Sequence, residues 1–185
     1  MSTNPDWNEI RASLQGIERN ALYQAATTVG QIQAEQIPRD IADLVISLFR
    51  HADPAVRAEA VRAIGVHWRL PYAAETLSNT IEHDEDSIVR LSAISGLGAL
   101  AAEHSSLRCF ASRVLATAVL NEKLDEYARV VAYLEVLLVE RRVSFEEYII
   151  QDLYRADSLD SLDIDLPWVR ELAQQHCPEL QPMEG

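Results

Sequence analysis

The sequence predicts an all-α protein, a right-handed α-solenoid of about four helix pairs closed by a C-terminal helical cap. Three observations predict it. Alanine and leucine dominate an apolar fraction of 48%, while aromatic residues make up only 6%, which favours helices over strands. Apolar residues recur at helical spacing from residue 6 to residue 142. One stretch, HADPAVRAEAVRAIG at 51–65, recurs 33 residues further on, and a period between 20 and 50 residues is that of a stacked repeat.

The repeat defines the second helix of each pair. Asp53, Val56, Arg57, Ala60 and Gly65 fall on Asp86, Val89, Arg90, Ala93 and Gly98. The grammar returns as Asp125, Ala128, Arg129, Ala132, Tyr133 and Val136 at an offset of 39, and earlier as Ala21, Ala25, Ala26, Val29 and Gly30. Second helices are thus expected to begin near residues 20, 54, 87 and 126. Val56, Ala60, Val61 and Ile64 share one face of such a helix and form its buried stripe. First helices are expected over 38–51, 71–83 and 105–120, each with one apolar face. Pro38, Pro54 and Pro71 stand in first turns, where the missing N–H costs nothing. Asp53 and Asp86 are placed to cap the helices that follow them. No pair can bury its apolar face alone, so each leans on its neighbours.

DPAVRAEAVRAIG and DSIVRLSAISGLG resemble HEAT repeats, in particular the short variety of phycobilisome (bilin) lyase-like proteins. The resemblance covers 46–100 strongly, 120–140 less well and 6–33 weakly, and ends at 143. It implies a ladder in which an Asp six positions before the repeat Arg pairs with arginines of adjacent units. Those positions here hold His51, Asp84 and Lys123, so an interrupted ladder is expected. Arg57 reads as structural because Arg90 and Arg129 recur in register. Arg62, replaced by Ser95 in the next unit, lies on the opposite helix face and reads as free for a partner.

The division expected is a solenoid over 1–143 and an acidic cap over 144–185 within one domain. The cap holds ten acidic residues against Arg155 and Arg170. Its segment FEEYIIQDLYRA reads as a helix, and a final helix is expected to start around Pro167. The alternation DSLDSLDID has two readings, a solvated end or an acidic docking strip with Trp168 as its apolar anchor.

The formal net charge of -13 opposes binding to a phosphate backbone. It suits a protein partner of basic character. No apolar run is long enough for a membrane span, and MSTNPDWNEIRASLQ has no secretory pattern. Cys109 and Cys177 lie far apart without motif spacing and read as free thiols of a reducing, cytoplasmic setting. No phosphate loop, zinc motif or nucleophile elbow is found. The acidic run EHDED reads as a loop whose Asp86 caps a helix. No catalytic residue, cofactor or metal is assigned.

The expected function is a non-enzymatic protein–protein interaction module, monomeric by itself. Its most specific form is a small acidic bacterial immunity-type protein that neutralises a basic, nuclease-like toxin. A tetrapyrrole-binding chaperone or enzyme of the bilin lyase kind, or a general scaffold, is the alternative. Partner contacts are expected on the second helices at Tyr23, Gln24, Thr27, Glu59, Arg62, Arg69, Ser92 and Ser95. Further contacts are expected on the C-terminal strip at Asp157, Asp160, Asp163, Asp165 and Trp168. Val130, Val131 and Leu134 are expected to be bare for a partner or covered by the tail.

Overall fold

Ten α-helices follow one another among the described residues, with no strand between them. The structure is a computed structural model and describes residues 5–33, 37–150 and 155–178. Helix α1 spans Trp7–Leu14 and α2 Arg19–Gly30. Helix α3 (Arg39–Ser47) runs into a 3-10 turn, Leu48–Arg50. Helix α4 (Pro54–Arg62) continues into a π turn, Ala63–His67. Helices α5 (Ala74–His83) and α7 (Arg108–Leu120) each begin with a 3-10 turn, and α6 (Ser87–Glu103) lies between them. Helix α8 (Glu126–Val139) is followed by α9 (Phe145–Ile150) and α10 (Leu166–Ala173).

The second helices therefore start at residues 19, 54, 87 and 126, as the repeat predicts. Their starts are set by local chemistry. Asp53 accepts from the backbone N–H groups of Ala55 and Val56, Asp86 from those of Ile88 and Val89, and Asp125 from Ala128. Each such cap is worth about 1 kcal/mol.

The second helices stack on one another in chain order, α2 on α4, α4 on α6, α6 on α8. The first helices pack against them from one side, α5 on α6 and α7 on α8. The predicted stripe of Val56, Ala60, Val61 and Ile64 is fully buried, as are Val89, Ala93, Ile94 and Leu97. In the first unit the register differs slightly: Ala21 is exposed and Leu22 is buried in its stead. The buried Trp68 indole donates to the Val29 carbonyl at 3.0 Å, tying the end of α4 to α2.

The cysteines correct the sequence reading. Cys109 on α7 and Cys177 beyond α10 form a disulfide, with Cα atoms 5.7 Å apart and a separation of 68 positions in sequence. The bond fastens the chain after α10 to the helix that α10 packs against. Because disulfides persist in oxidising surroundings, the cysteines give no support to a reducing compartment. No helix among the described residues is long and apolar enough to cross a membrane.

Candidate functional site on the second helices and C-terminal strip

The arginines in repeat register are tied into the scaffold. The Arg57 guanidinium donates to both Asp84 carboxylate oxygens, at 2.8 and 2.9 Å, and to the carbonyls of His51 and Ala52. Asp84 holds the Arg57 pKa above the ordinary arginine value, chiefly through this hydrogen bond. Arg90 donates to the Asp84 carbonyl and lies 3.6 Å from the Asp125 carboxylate. Arg19 pairs with Asp53, and that hydrogen bond holds the Asp53 carboxyl below the usual range. The interrupted ladder is thus corrected. Each of the first three units offers an arginine to an aspartate of the next, because the helix caps Asp53 and Asp125 stand in where the six-back position lacks an acid.

The partner residues proposed on the second helices divide. Gln24 is exposed, while Tyr23, Thr27 and Ser95 are half-buried, and the Thr27 hydroxyl donates to the Tyr23 carbonyl. Glu59 and Ser92 are buried, contrary to expectation. Arg62 is not free either. Its Nε donates to Glu59 at 3.1 Å, and its Nη1 reaches Ser92 Oγ at 3.5 Å. The reason is the close stacking of α4 on α6, which turns a supposed outer face into a seam. Arg69, at φ 49°, lies in the left-handed region. It is held by Glu103 at 3.0 Å and through its carbonyl by His104 Nε2 at 2.9 Å.

At the C-terminal end the tail lies on α8. The Leu159 N–H donates to the Glu126 carboxylate, and the Tyr133 hydroxyl bonds the Asp163 carbonyl and the Asp165 N–H. Val130 and Leu134 are buried and Val131 is half-buried, so the set is not a bare apolar patch. Along the strip, Asp157, Asp160 and Asp163 are exposed and have no ion-pair partner among the described residues. Asp165 differs: it caps α10 through the Trp168 N–H and pairs with Arg142 at 3.2 Å. Trp168 is half-buried against the core, and the Arg142 guanidinium stacks on its ring at 3.9 Å.

One residue that sequence reasoning missed stands at the contact between stacked helices. In each of three units a glycine meets the next unit, and one register position recurs in the contact: Gly30 meets His67 and Ala63, Gly65 meets Gly96, and Gly98 meets Glu135. Two of these positions carry the smallest side chains, and the third carries a carboxyl. A Cβ built on Gly98 would lie 2.1 Å from Glu135 Oε2, so the carboxyl lies directly against the glycine backbone. Burial pushes the Glu135 pKa up to about 8. The residue nevertheless keeps some exposure, and neither of its oxygens is among the sealed, unpaired polar atoms. It is crowded by protein yet reachable. The offset of 39 that relates α6 to α8 maps Gly96 onto Glu135, but only the crossing of the helices reveals that Gly96 lies at the contact.

An open groove of about 270 Å³ between α5, α7 and α10 is lined by Ile81, Glu82, Arg113, Val114 and Thr117 among others. No group of three or more acidic, histidine or cysteine side chains among the described residues could hold a metal ion.

Fold and site together define a helical-repeat protein whose second helices form one continuous stack, with an acidic strip at its end. A family model described as HEAT repeats matches residues 14–98 and 41–133. These ranges span more than half of the chain, and the protein belongs to the HEAT-repeat family. HEAT repeats commonly mediate protein–protein interactions, which makes this chain an interaction scaffold by class. Nothing among curated proteins or solved structures matches it.

Proposed function

We propose that this scaffold binds a basic protein partner and that the C-terminal strip steers the encounter. The observation that carries the reading is the row of exposed carboxylates at Asp157, Asp160 and Asp163, without an ion-pair partner among the described residues, on a chain of net charge -13. Unpaired surface charge adds little to folding but speeds association with an oppositely charged surface. Its finer form is an immunity-type role, in which the chain covers and silences a basic toxin. The acidity of the chain supports that form. Trp168 and Asp165 are already engaged within the cap, so they support the strip instead of contacting the partner first.

The test is capture of partners from the native host, followed by kinetics with the variant Asp157→Asn, Asp160→Asn, Asp163→Asn. The expected partner is basic. The variant should associate more slowly and with a flatter salt dependence, at an unchanged melting temperature. An unchanged on-rate and salt slope would remove the strip from the interface. The immunity form further requires that the captured protein be toxic when expressed alone and tolerated with this chain.

A further inference from the structure

Glu135 is an odd residue for its place. Its counterparts at the stacking contact are Ala63 and Gly96, which cost nothing to bury. A carboxyl there gives up part of its hydration, and it finds no hydrogen-bond partner or ion pair among the described residues in return. Crowding a polar group with protein while giving it no partner is unfavourable. A group held at such a cost, yet still reachable from outside, marks a binding site waiting for its counter-charge.

We infer that the seam between α6 and α8 is a socket for one arginine side chain of a protein partner, with the Glu135 carboxylate as its acceptor. This rests on the basic partner proposed above. Four observations give the socket its chemistry. The carboxyl lies against the Gly98 backbone, where no side chain competes for it. By helical spacing its rim on α8 is Val131 and Leu138, and on α6 it is Ser95 and Ala102, all at least partly exposed and none charged. The Tyr148 phenol of α9 is pushed up first by burial and then by the charges of Glu135 and Tyr127, which places an aromatic residue within electrostatic range of the carboxyl. Other charged groups on these elements are engaged elsewhere: Arg90 with Asp84 and Asp125, Glu103 with Arg69, and Glu147 with Ser144. A planar guanidinium can pair with a carboxylate at two points and stack on an aromatic ring, which an ammonium cannot do. Without the guanidinium, burial holds the carboxyl's pKa up at about 8, so the group is largely protonated at neutral pH. Entry of the guanidinium releases that proton to solvent as the ion pair forms.

The full chain labelled with 13C at glutamate carboxyls is titrated in ethylguanidinium chloride and, at equal ionic strength, in sodium chloride. The expected result is that ethylguanidinium lowers the Glu135 midpoint by about one pH unit. The Gly98 and Leu138 amide signals should shift with it, and Glu135→Gln, which keeps the shape of the side chain, should abolish that shift. Gly98→Ala, which pushes the carboxyl outward, should reduce it. Equal midpoints in the two salts, an equal amide response in Glu135→Gln, or an equal response to ethylammonium would each overturn the inference. A basic partner captured equally well by the wild type and Glu135→Gln overturns it too, and leaves the proposed function standing. If no basic partner is captured, the proposed function fails, while the probe titration still decides the socket.

Discussion

Arg57 and Asp84 close a two-point ion pair between consecutive units, at 2.8 and 2.9 Å, with both side chains under a tenth exposed. Arg57 also takes up the carbonyls of His51 and Ala52, so it bonds the end of one first helix to the loop after the next. Arg57→Met should cost about 3–5 kcal/mol, because it leaves a buried carboxylate without its partner. Arg57→Lys keeps the charge but not the fork, and should recover only part of the loss. Chemical denaturation of the three chains checks this. Loss of less than about 1 kcal/mol in Arg57→Met would mean that the pair behaves as an ordinary surface contact.

Gly65 and Gly96 set how closely α4 and α6 approach. A Cβ at Gly65 would lie 2.7 Å from the Gly96 Cα, and a backbone atom cannot step aside as a side chain can. Gly65→Ala should therefore destabilise by about 1–3 kcal/mol, outweighing the gain of up to about 1 kcal/mol from alanine's helix propensity. Gly98→Ala should cost less, since the atom it meets first is the movable Glu135 carboxyl. Melting temperatures in the reverse order would show that the seam between α6 and α8 is the more rigid of the two.

How far these features could be read in advance depended on whether their cause was local. Helix starts were legible within a residue or so, since Asp53, Asp86 and Asp125 cap within three residues of themselves. The core stripes were legible because burial follows the 3.6-residue period. The seam was not. The repeat aligns Gly65 with Gly98, whereas Gly65 touches Gly96, so which residues meet depends on the crossing of two helices. That crossing buried Glu59 and Ser92, which the period alone had placed on an open face. The pairing of Cys109 with Cys177 needed α10 to fold back on α7, a contact no spacing rule contains.

The disulfide gives the cap a covalent anchor. Cys177→Ser should lower stability by about 2–4 kcal/mol, the range for a bond that closes a long loop. Reducing agent should lower the wild-type melting temperature by the same amount and leave the variant unaffected. Thiol titration of the native chain should find no free thiol. Two reactive thiols in protein prepared without reductant would restore the free-cysteine reading.

The buried carboxyl of Glu135 makes stability depend on pH in a direction that can be worked out. Its pKa is raised from 4.5 to about 8 on folding. Below about pH 4.5 the group is protonated in folded and unfolded chains alike and costs nothing as a charge. As pH rises from there, the unfolded chain loses the proton first, so the folded state is progressively disfavoured until the folded group also ionises near pH 8. The loss across that window is of order 3 kcal/mol for this group, since each pH step between the two values is worth about 1.4 kcal/mol and partial exposure lessens the sum. Glu135→Gln removes the titration while keeping the side chain's shape. Its melting temperature relative to wild type should therefore climb between pH 4.5 and pH 8 and level off above. A difference that stays constant across the range would mean that the carboxyl is hydrated in the folded chain. Glu135 would then carry no desolvation cost, and the socket argued from that cost would lose its basis.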